Sequence, residues 1–450
     1  MHYPSRVLAL VALAVTAFIL GPIAQARPNS QADGNPVDQR VTREWVRINS
    51  NVKGLLYQPA ATAPVDTALL VMHPESDFTE HFTCEGMATR GFVVLCVNGR
   101  GTRVPDELAL DVKAPVDFLR QRPQIKHVIL IGHSGGGPTM AYYQDVAENG
   151  LSACAGPEKI APCSDALAGM APADALILLD AHHGSPLASL FRLDPAVLDE
   201  DQFGRVDPSR TDPKLDPFDP ANGFDPSGDP TYSEDFLDGY FGGQSARRQR
   251  QVDLVNERLT MLRSGQGMYP DNEPLVVARN GGRIWEIDRR LISHTKAEHR
   301  LLTPSGIVTT VVQSIRPRLA LSPQANLRFS GADVTDLNDF VQTAALRTAP
   351  DLRVMADDIL GIDWFSQNGL TPGSLAGVHV PVLNISATGH YWVVPNEISF
   401  RLTASEDKEL LFIEGATHGF TPCNNCVESA PGKYDRVQND TLNYLSLIHI

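Results

Sequence analysis

The run His127-Val128-Ile129-Leu130-Ile131 breaks abruptly into Gly132-His133-Ser134-Gly135-Gly136-Gly137-Pro138. A β-branched apolar stretch ending in a glycine-flanked serine restricts this part of the chain to a strand, a tight turn and a helix, with the serine on the turn. The spacing Gly-x-Ser-x-Gly has a steric reason. A serine on so sharp a turn takes strained backbone angles, and only glycine beside it leaves room for the neighbouring strand and helix. Pro138 to Asn149 reads as that helix, so the Gly135 N–H lies at a helix N-terminus, where a developing anion is stabilised. The pattern predicts a nucleophile elbow with the Ser134 hydroxyl held out at the edge of a sheet.

Further unpunctuated apolar runs, Thr67–Met72, Gly91–Val97, Ala175–Leu179, Val380–Ala387 and Lys408–Glu414, have the look of parallel strands buried on both faces. Glu44–Ile48 and Gly54–Gln58 alternate like a hairpin, and Leu108–Gln121 reads as a helix. Strands alternating with helices imply α/β architecture: a doubly wound, mostly parallel sheet with reactive residues at the carboxyl ends of strands. The rhythm stops after Asp180 and resumes only near Val380. Between them lie seven Asp-Pro pairs, at Asp194, Asp207, Asp212, Asp216, Asp219, Asp225 and Asp229, followed by a helical stretch, Glu234–Arg263. Prolines at that density exclude long helices and central strands. Their aspartates lack the glycine-pivoted spacing of a calcium loop. The expected organisation is a signal peptide over 1–26, a first core segment over 43–184, a large cap insertion over 185–377 between the sixth and seventh core strands, and a second core segment over 378–450. A cap over the active site would determine substrate choice.

Length and composition fit an ordinary large core, with 42% hydrophobic residues in 450. The formal net charge is −15 and there is no lysine- or arginine-rich run, which argues against nucleic acid or an anionic membrane as partner. Arg6, the apolar stretch Val7 to Ile23 and Ala24-Gln25-Ala26 match the three regions of a secretory signal, so the mature chain is expected to begin near Arg27 and to be secreted or periplasmic. An uncleaved anchor is the alternative. No later segment has about eighteen consecutive apolar residues, as a span requires. Six cysteines suit an oxidising compartment. Proximity pairs Cys84 with Cys96, Cys154 with Cys163 and Cys423 with Cys426, while the place of Cys96 in an apolar run leaves it open as a free core thiol.

A serine hydroxyl is a weak nucleophile without a base, and the base must be held in one tautomer by an acceptor. After the last strand the chain reads Gly415-Ala416-Thr417-His418-Gly419-Phe420. With its elbow, its strand series and this terminal Gly-x-x-His-Gly, the chain resembles the α/β-hydrolase superfamily of serine hydrolases over most of residues 65–184 and 378–450. The resemblance implies Ser134 as nucleophile, His418 as general base and later acid, and the Gly135 amide as one oxyanion donor. The second donor comes from the loop after the third strand, here His73-Pro74-Glu75-Ser76, where relatives commonly have His-Gly. Pro74 has no N–H, which makes the Glu75 amide the expected donor. The triad acid stays open. The stretch Thr388 to Pro395, where most relatives carry an aspartate, holds no carboxylate. Asp180, at the end of the strand after the nucleophile's, occupies a position used by some lipases; Glu397, in the first turn of the following helix, competes with it.

His182-His183 are adjacent and lack a supporting ligand cluster, so no metal is expected and they are assigned to the cleft wall. Trp364, Phe365, Tyr391 and Trp392 are either walls of an apolar pocket or ordinary core. The expected function is an exported, cofactor-free serine hydrolase that cleaves a small-molecule carboxylic ester through an acyl-enzyme. An acyltransferase or serine-type haloperoxidase would use the same triad. The missing aspartate after the penultimate strand motivates a third possibility, a non-catalytic binding protein on the same fold.

Overall fold

The computed structural model describes residues 41–60, 65–205, 208–278, 282–319, 332–427 and 429–447. The expected signal segment lies outside them. In chain order the strands are β1 (Val41–Arg47), β2 (Lys53–Pro59), β3 (Thr67–His73), β4 (Val93–Asn98), β5 (His127–His133), β6 (Ala175–Leu179), β7 (Pro274–Ala278), β8 (His294–Thr303), β9 (Gly306–Gln313), β10 (Ala332–Asp336), β11 (Thr348–Val354), β12 (Ile359–Ile362), β13 (Val382–Ala387) and β14 (Lys408–Ile413). The helices are α1 (Phe82–Ala88), α2 (Pro105–Arg120), α3 (Gly136–Asn149), α4 (Ser185–Arg192), α5 (Glu234–Arg263), α6 (Ile284–Ile287), α7 (Leu337–Thr343), α8 (Thr371–Leu375), α9 (Val393–Leu402) and α10 (Val437–Leu445).

Ten strands form one sheet in the order β1-β2-β4-β3-β5-β6-β13-β14-β8-β9. The run from β4 to β8 is parallel, and antiparallel strands finish both ends. This is the α/β-hydrolase fold. The middle strands are apolar without interruption because both faces are covered. Leu70, Leu130 and Leu176 pack with Val112 and Val116 of α2 and Met140 and Tyr143 of α3. Leu69, Ile129 and Ile177 face the opposite side, with Met87 of α1 and Leu442 and Leu445 of α10. Two faces buried this way leave β5 rigid, and its carboxyl end carries Ser134.

The segment between β6 and β13 is divided. Most of it, with the long helix α5 and the ribbons β7–β10 and β11–β12, has its own core around Phe191, Tyr240, Phe241, Trp285 and Phe340. Residues 294–313, however, join the central sheet: β8 runs parallel to β14, pairing Arg300 with Leu411, and β9 folds back on β8. Assigning the whole of 185–377 to a cap is therefore corrected. The hairpin covers β14, which would otherwise be an open edge. Within the Asp-Pro region the aspartates close turns. Asp212, Asp216, Asp219 and Asp225 each accept a backbone N–H two residues on, from Lys214, Phe218, Ala221 and Ser227. Disulfides join Cys84 to Cys96, Cys154 to Cys163 and Cys423 to Cys426, so Cys96 is not a free thiol. No helix among the described residues is long and apolar enough to cross a membrane.

Candidate active site

Ser134 sits between β5 and α3 with φ +54°, in the left-handed region that costs a non-glycine residue of order 1–3 kcal/mol. The turn is held by its neighbours: Ser134 N–H donates to the Leu179 carbonyl, and the Ser134 carbonyl accepts from Gly137 and His182. A Cβ on Gly136 would stand 2.5 Å from the Met72 carbonyl oxygen, which explains the glycine there. The Gly135 N–H makes no hydrogen bond among the described residues and stands at the N-terminus of α3.

Ser134 Oγ and His418 Nε2 are 2.8 Å apart, and His418 Nδ1 lies 2.6 Å from Asp180 Oδ2. The three side chains come from the ends of β5, β14 and β6. Asp180, itself at φ +39°, is fully buried. Its Oδ1 accepts from Ser386 Oγ at 3.1 Å and Ala387 N–H at 3.2 Å, and His390 Nδ1 lies 2.8 Å from Oδ2. Burial opposes the charge on Asp180, but His390 and His418 outweigh it and hold the carboxyl well below the usual range. Asp180, His390 and His418 are also the group among the described residues whose ligand atoms converge. Glu397 is elsewhere. It is buried in α9, accepts the Lys296 and Ala297 N–H groups of β8 at 2.7 and 2.8 Å, and pairs with His299 at 2.9 Å. It does not touch His418.

Two features of the site escaped the sequence. The first is a file of histidines behind His418. Thr83 Oγ1 is 2.8 Å from His81 Nδ1, His81 Nε2 is 2.9 Å from His133 Nδ1, and His133 Nε2 is 2.7 Å from the His418 carbonyl oxygen. The carbonyl can only accept, which fixes every proton along the file: His133 donates from Nε2, accepts from His81 Nε2–H, and His81 accepts from Thr83. Burial drives the His133 pKa to about 3 and that of His81 well down, so both rings stay neutral and anchor the loop that carries His418. The second concerns the loop after β3. His73 Nδ1 accepts from both Glu75 N–H, at 3.1 Å, and Ser76 N–H, at 2.9 Å. The Glu75 amide is thus already engaged, which corrects its assignment as oxyanion donor. With Nδ1 accepting, the His73 proton is on Nε2. That atom faces the elbow, 2.9 Å from where a Cβ on Gly135 would stand, and burial lowers the His73 pKa to about 4. The signal was the histidine itself: a loop reading His-Pro-x-Ser has lost one backbone donor and carries a side-chain donor beside it.

Two cavities open on Ser134. The larger, about 590 Å³, lies between the elbow, α2 and the insertion, reaching Asp333, Phe340 and Thr343. The smaller, about 250 Å³, is walled by His183, Trp285, His390, Tyr391 and Trp392. His182 lines both, and the His182 and His183 rings stack at 4.5 Å. Of the four aromatics singled out earlier, Tyr391 and Trp392 are walls; Trp364 packs against the core of the insertion and Phe365 is exposed.

No family model and no curated protein matches this chain. Similar solved structures include a hypothetical protein from Pseudomonas aeruginosa, at 16% identity over 91% of this chain and 94% of that one, with a TM-score of 0.37. Est1E from Butyrivibrio proteoclasticus and a dienelactone hydrolase from Anabaena variabilis are each 10% identical over 90% of this chain and 96% of theirs, with TM-scores of 0.37 and 0.36. Scores this low add nothing to the strand order, which defines the fold by itself.

Proposed function

We propose that the protein is a serine hydrolase that cleaves small carboxylic esters through an acyl-enzyme. The observation that carries this reading is the relay Ser134 Oγ, His418, Asp180, with both contacts under 3 Å. In the proposed cycle His418 Nε2 takes the Ser134 proton as Oγ bonds to the carbonyl carbon, and Asp180 stabilises the imidazolium. The oxyanion is met by the Gly135 N–H and by His73 Nε2–H, a neutral side-chain donor in place of the second backbone amide. His418 then protonates the departing alkoxide, and the acyl-enzyme forms. Water, deprotonated by His418, attacks it; the carboxylic acid leaves and the proton returns to Ser134.

Export belongs to the same proposal. Three disulfides support an oxidising compartment, and the insertion, which contributes to the wall of the larger cavity, is proposed to set substrate choice. Hydrolysis of p-nitrophenyl butyrate by the chain from residue 27, beside Ser134→Ala, tests the reading together with labelling by a fluorophosphonate. Turnover and labelling that both vanish in Ser134→Ala are expected. Turnover equal to the Ser134→Ala background, joined to absent labelling, would sink it.

A further inference from the structure

Four residues line both cavities: Ser134, His182, Ala188 and Arg192. The nucleophile and Arg192 therefore share the neck where the two spaces meet. The Arg192 guanidinium has no hydrogen bond or ion pair among the described residues, although the chain carries a large excess of carboxylates. Among the other charged residues facing these cavities, only Asp339 likewise has no side-chain hydrogen bond or ion pair among the described residues. Arg103 is paired with Glu75, and Glu286 with Arg283. Asp333 and Asp339 lie at the insertion side of the larger cavity, and Asp333 has a partner of its own.

A second arginine stands behind the same helix. Arg248 is fully buried and donates from Nη2 to Ser189 Oγ at 2.8 Å, over the ring of Phe340 at 5.3 Å, while its Nε and Nη1 have no partner. Burial lowers its pKa only to about 9, so it stays charged at neutral pH. A buried cation without a carboxylate partner is costly. Here its one hydrogen bond occupies an acceptor site of Ser189, a residue of the cavity wall one helical turn from Arg192. The Ser189 proton is left to be donated, and the turn Ser189–Arg192 presents donors and positive charge.

We propose that this turn of α4 is a carboxylate-binding subsite, and that the substrates are esters carrying a free carboxylate within reach of the scissile carbonyl. Arg192 is exposed, and its planar, unpaired guanidinium lines the same two cavities as the nucleophile; it suits a carboxylate in a bidentate arrangement, and a hydroxyl oriented by Arg248 completes the contact. The inference rests on the ester-hydrolase reading for its substrate, but its test is separable from that reading. Monomethyl glutarate titrated calorimetrically into Ser134→Ala should bind at least tenfold more tightly than into Ser134→Ala with Arg192→Gln, whereas Arg192→Lys should restore part of the loss. Equal affinity in the two proteins overturns the subsite whether or not the enzyme turns over. In the active enzyme, the kcat/KM ratio of monomethyl glutarate to methyl butyrate should fall at least tenfold with Arg192→Gln. Repeating the comparison with O-butyryl glycolate distinguishes a carboxylate on the alcohol side from one on the acyl side. Binding that depends on Arg192 without turnover of any ester would keep the subsite and discard the hydrolase.

Discussion

Asp180 and Glu397 compete for the acid's role in the sequence, and their surroundings give them opposite tasks. Both are buried carboxylates, and both are kept ionised by several donors, but only Asp180 touches His418. Asp180→Asn should lower kcat roughly 10³- to 10⁴-fold with little loss of folded protein, because the amide presents the wrong partner to His418. Glu397→Ala should do the reverse. It leaves two N–H groups of β8 and His299 without their acceptor, a loss of about 3 kcal/mol in urea unfolding, with kcat per folded molecule near wild type. His73 offers a second test at this scale. His73→Phe removes the Nε2 donor and should cost about 10²- to 10³-fold in kcat with a small change in KM. A stability loss alone, with kcat retained, would return His73 to a purely structural role and reopen the search for the second donor.

At the scale of elements, the elbow works because backbone meets backbone. Gly136→Ala puts a methyl 2.5 Å from the Met72 carbonyl, on a strand that cannot yield because both its faces are packed. A loss of about 2–3 kcal/mol and of esterase activity is expected from thermal unfolding and a p-nitrophenyl butyrate assay. Gly419, beside His418, has open space where its Cβ would be, so Gly419→Ala should be tolerated; the second glycine of Gly-x-x-His-Gly is not sterically required. The same contrast explains what was legible in the sequence. Strands such as β3, β5 and β6 are covered on both faces and spell uninterrupted apolar runs. β8 lies near the end of the sheet, is mostly half-buried or exposed, and reads His-Thr-Lys-Ala-Glu-His-Arg, so periodicity gave no sign that it leaves the insertion for the core. The elbow and His418 were legible because their chemistry demands fixed neighbours. The choice between Asp180 and Glu397 was not, since each ends or follows a core strand and only the turn geometry, with Asp180 at positive φ, decides which side chain reaches His418. Glu75 misled because a side chain, His73, occupies its amide.

Across the molecule, strand ends and loops from distant parts of the chain bring seven of the thirteen histidines to one place: His73, His81, His133, His182, His183, His390 and His418. Burial, the first cause in each case, lowers the pKa of His73 to about 4 and of His133 and His182 to about 3, and it also lowers His81, His183 and His390. These rings are neutral in the folded protein, whereas in the unfolded chain they bind a proton below about pH 6.5. Between that pH and the folded values the unfolded state therefore holds more protons, and stability falls as pH falls. Asp145 acts the other way. Burial raises its pKa to about 7, so the folded state holds a proton that the unfolded chain has released, and stability falls as pH rises through the same window. The histidines with values of 3 or 4 already outnumber it. At pH 5 unfolding should take up at least two protons net, and stability should drop by about 3 kcal/mol or more per pH unit. Below about pH 4 the low-pKa Asp180 adds to the loss in the same direction, since its contribution is present above the unfolded carboxylate value and disappears as pH falls through the folded one. Urea unfolding at pH 7.0, 6.0 and 5.0 measures this directly. A midpoint that rises or holds steady toward pH 5 would mean that the histidine cluster is protonated in the folded state, and the neutral tautomers on which the His133 file and the His73 donor depend would have to be abandoned.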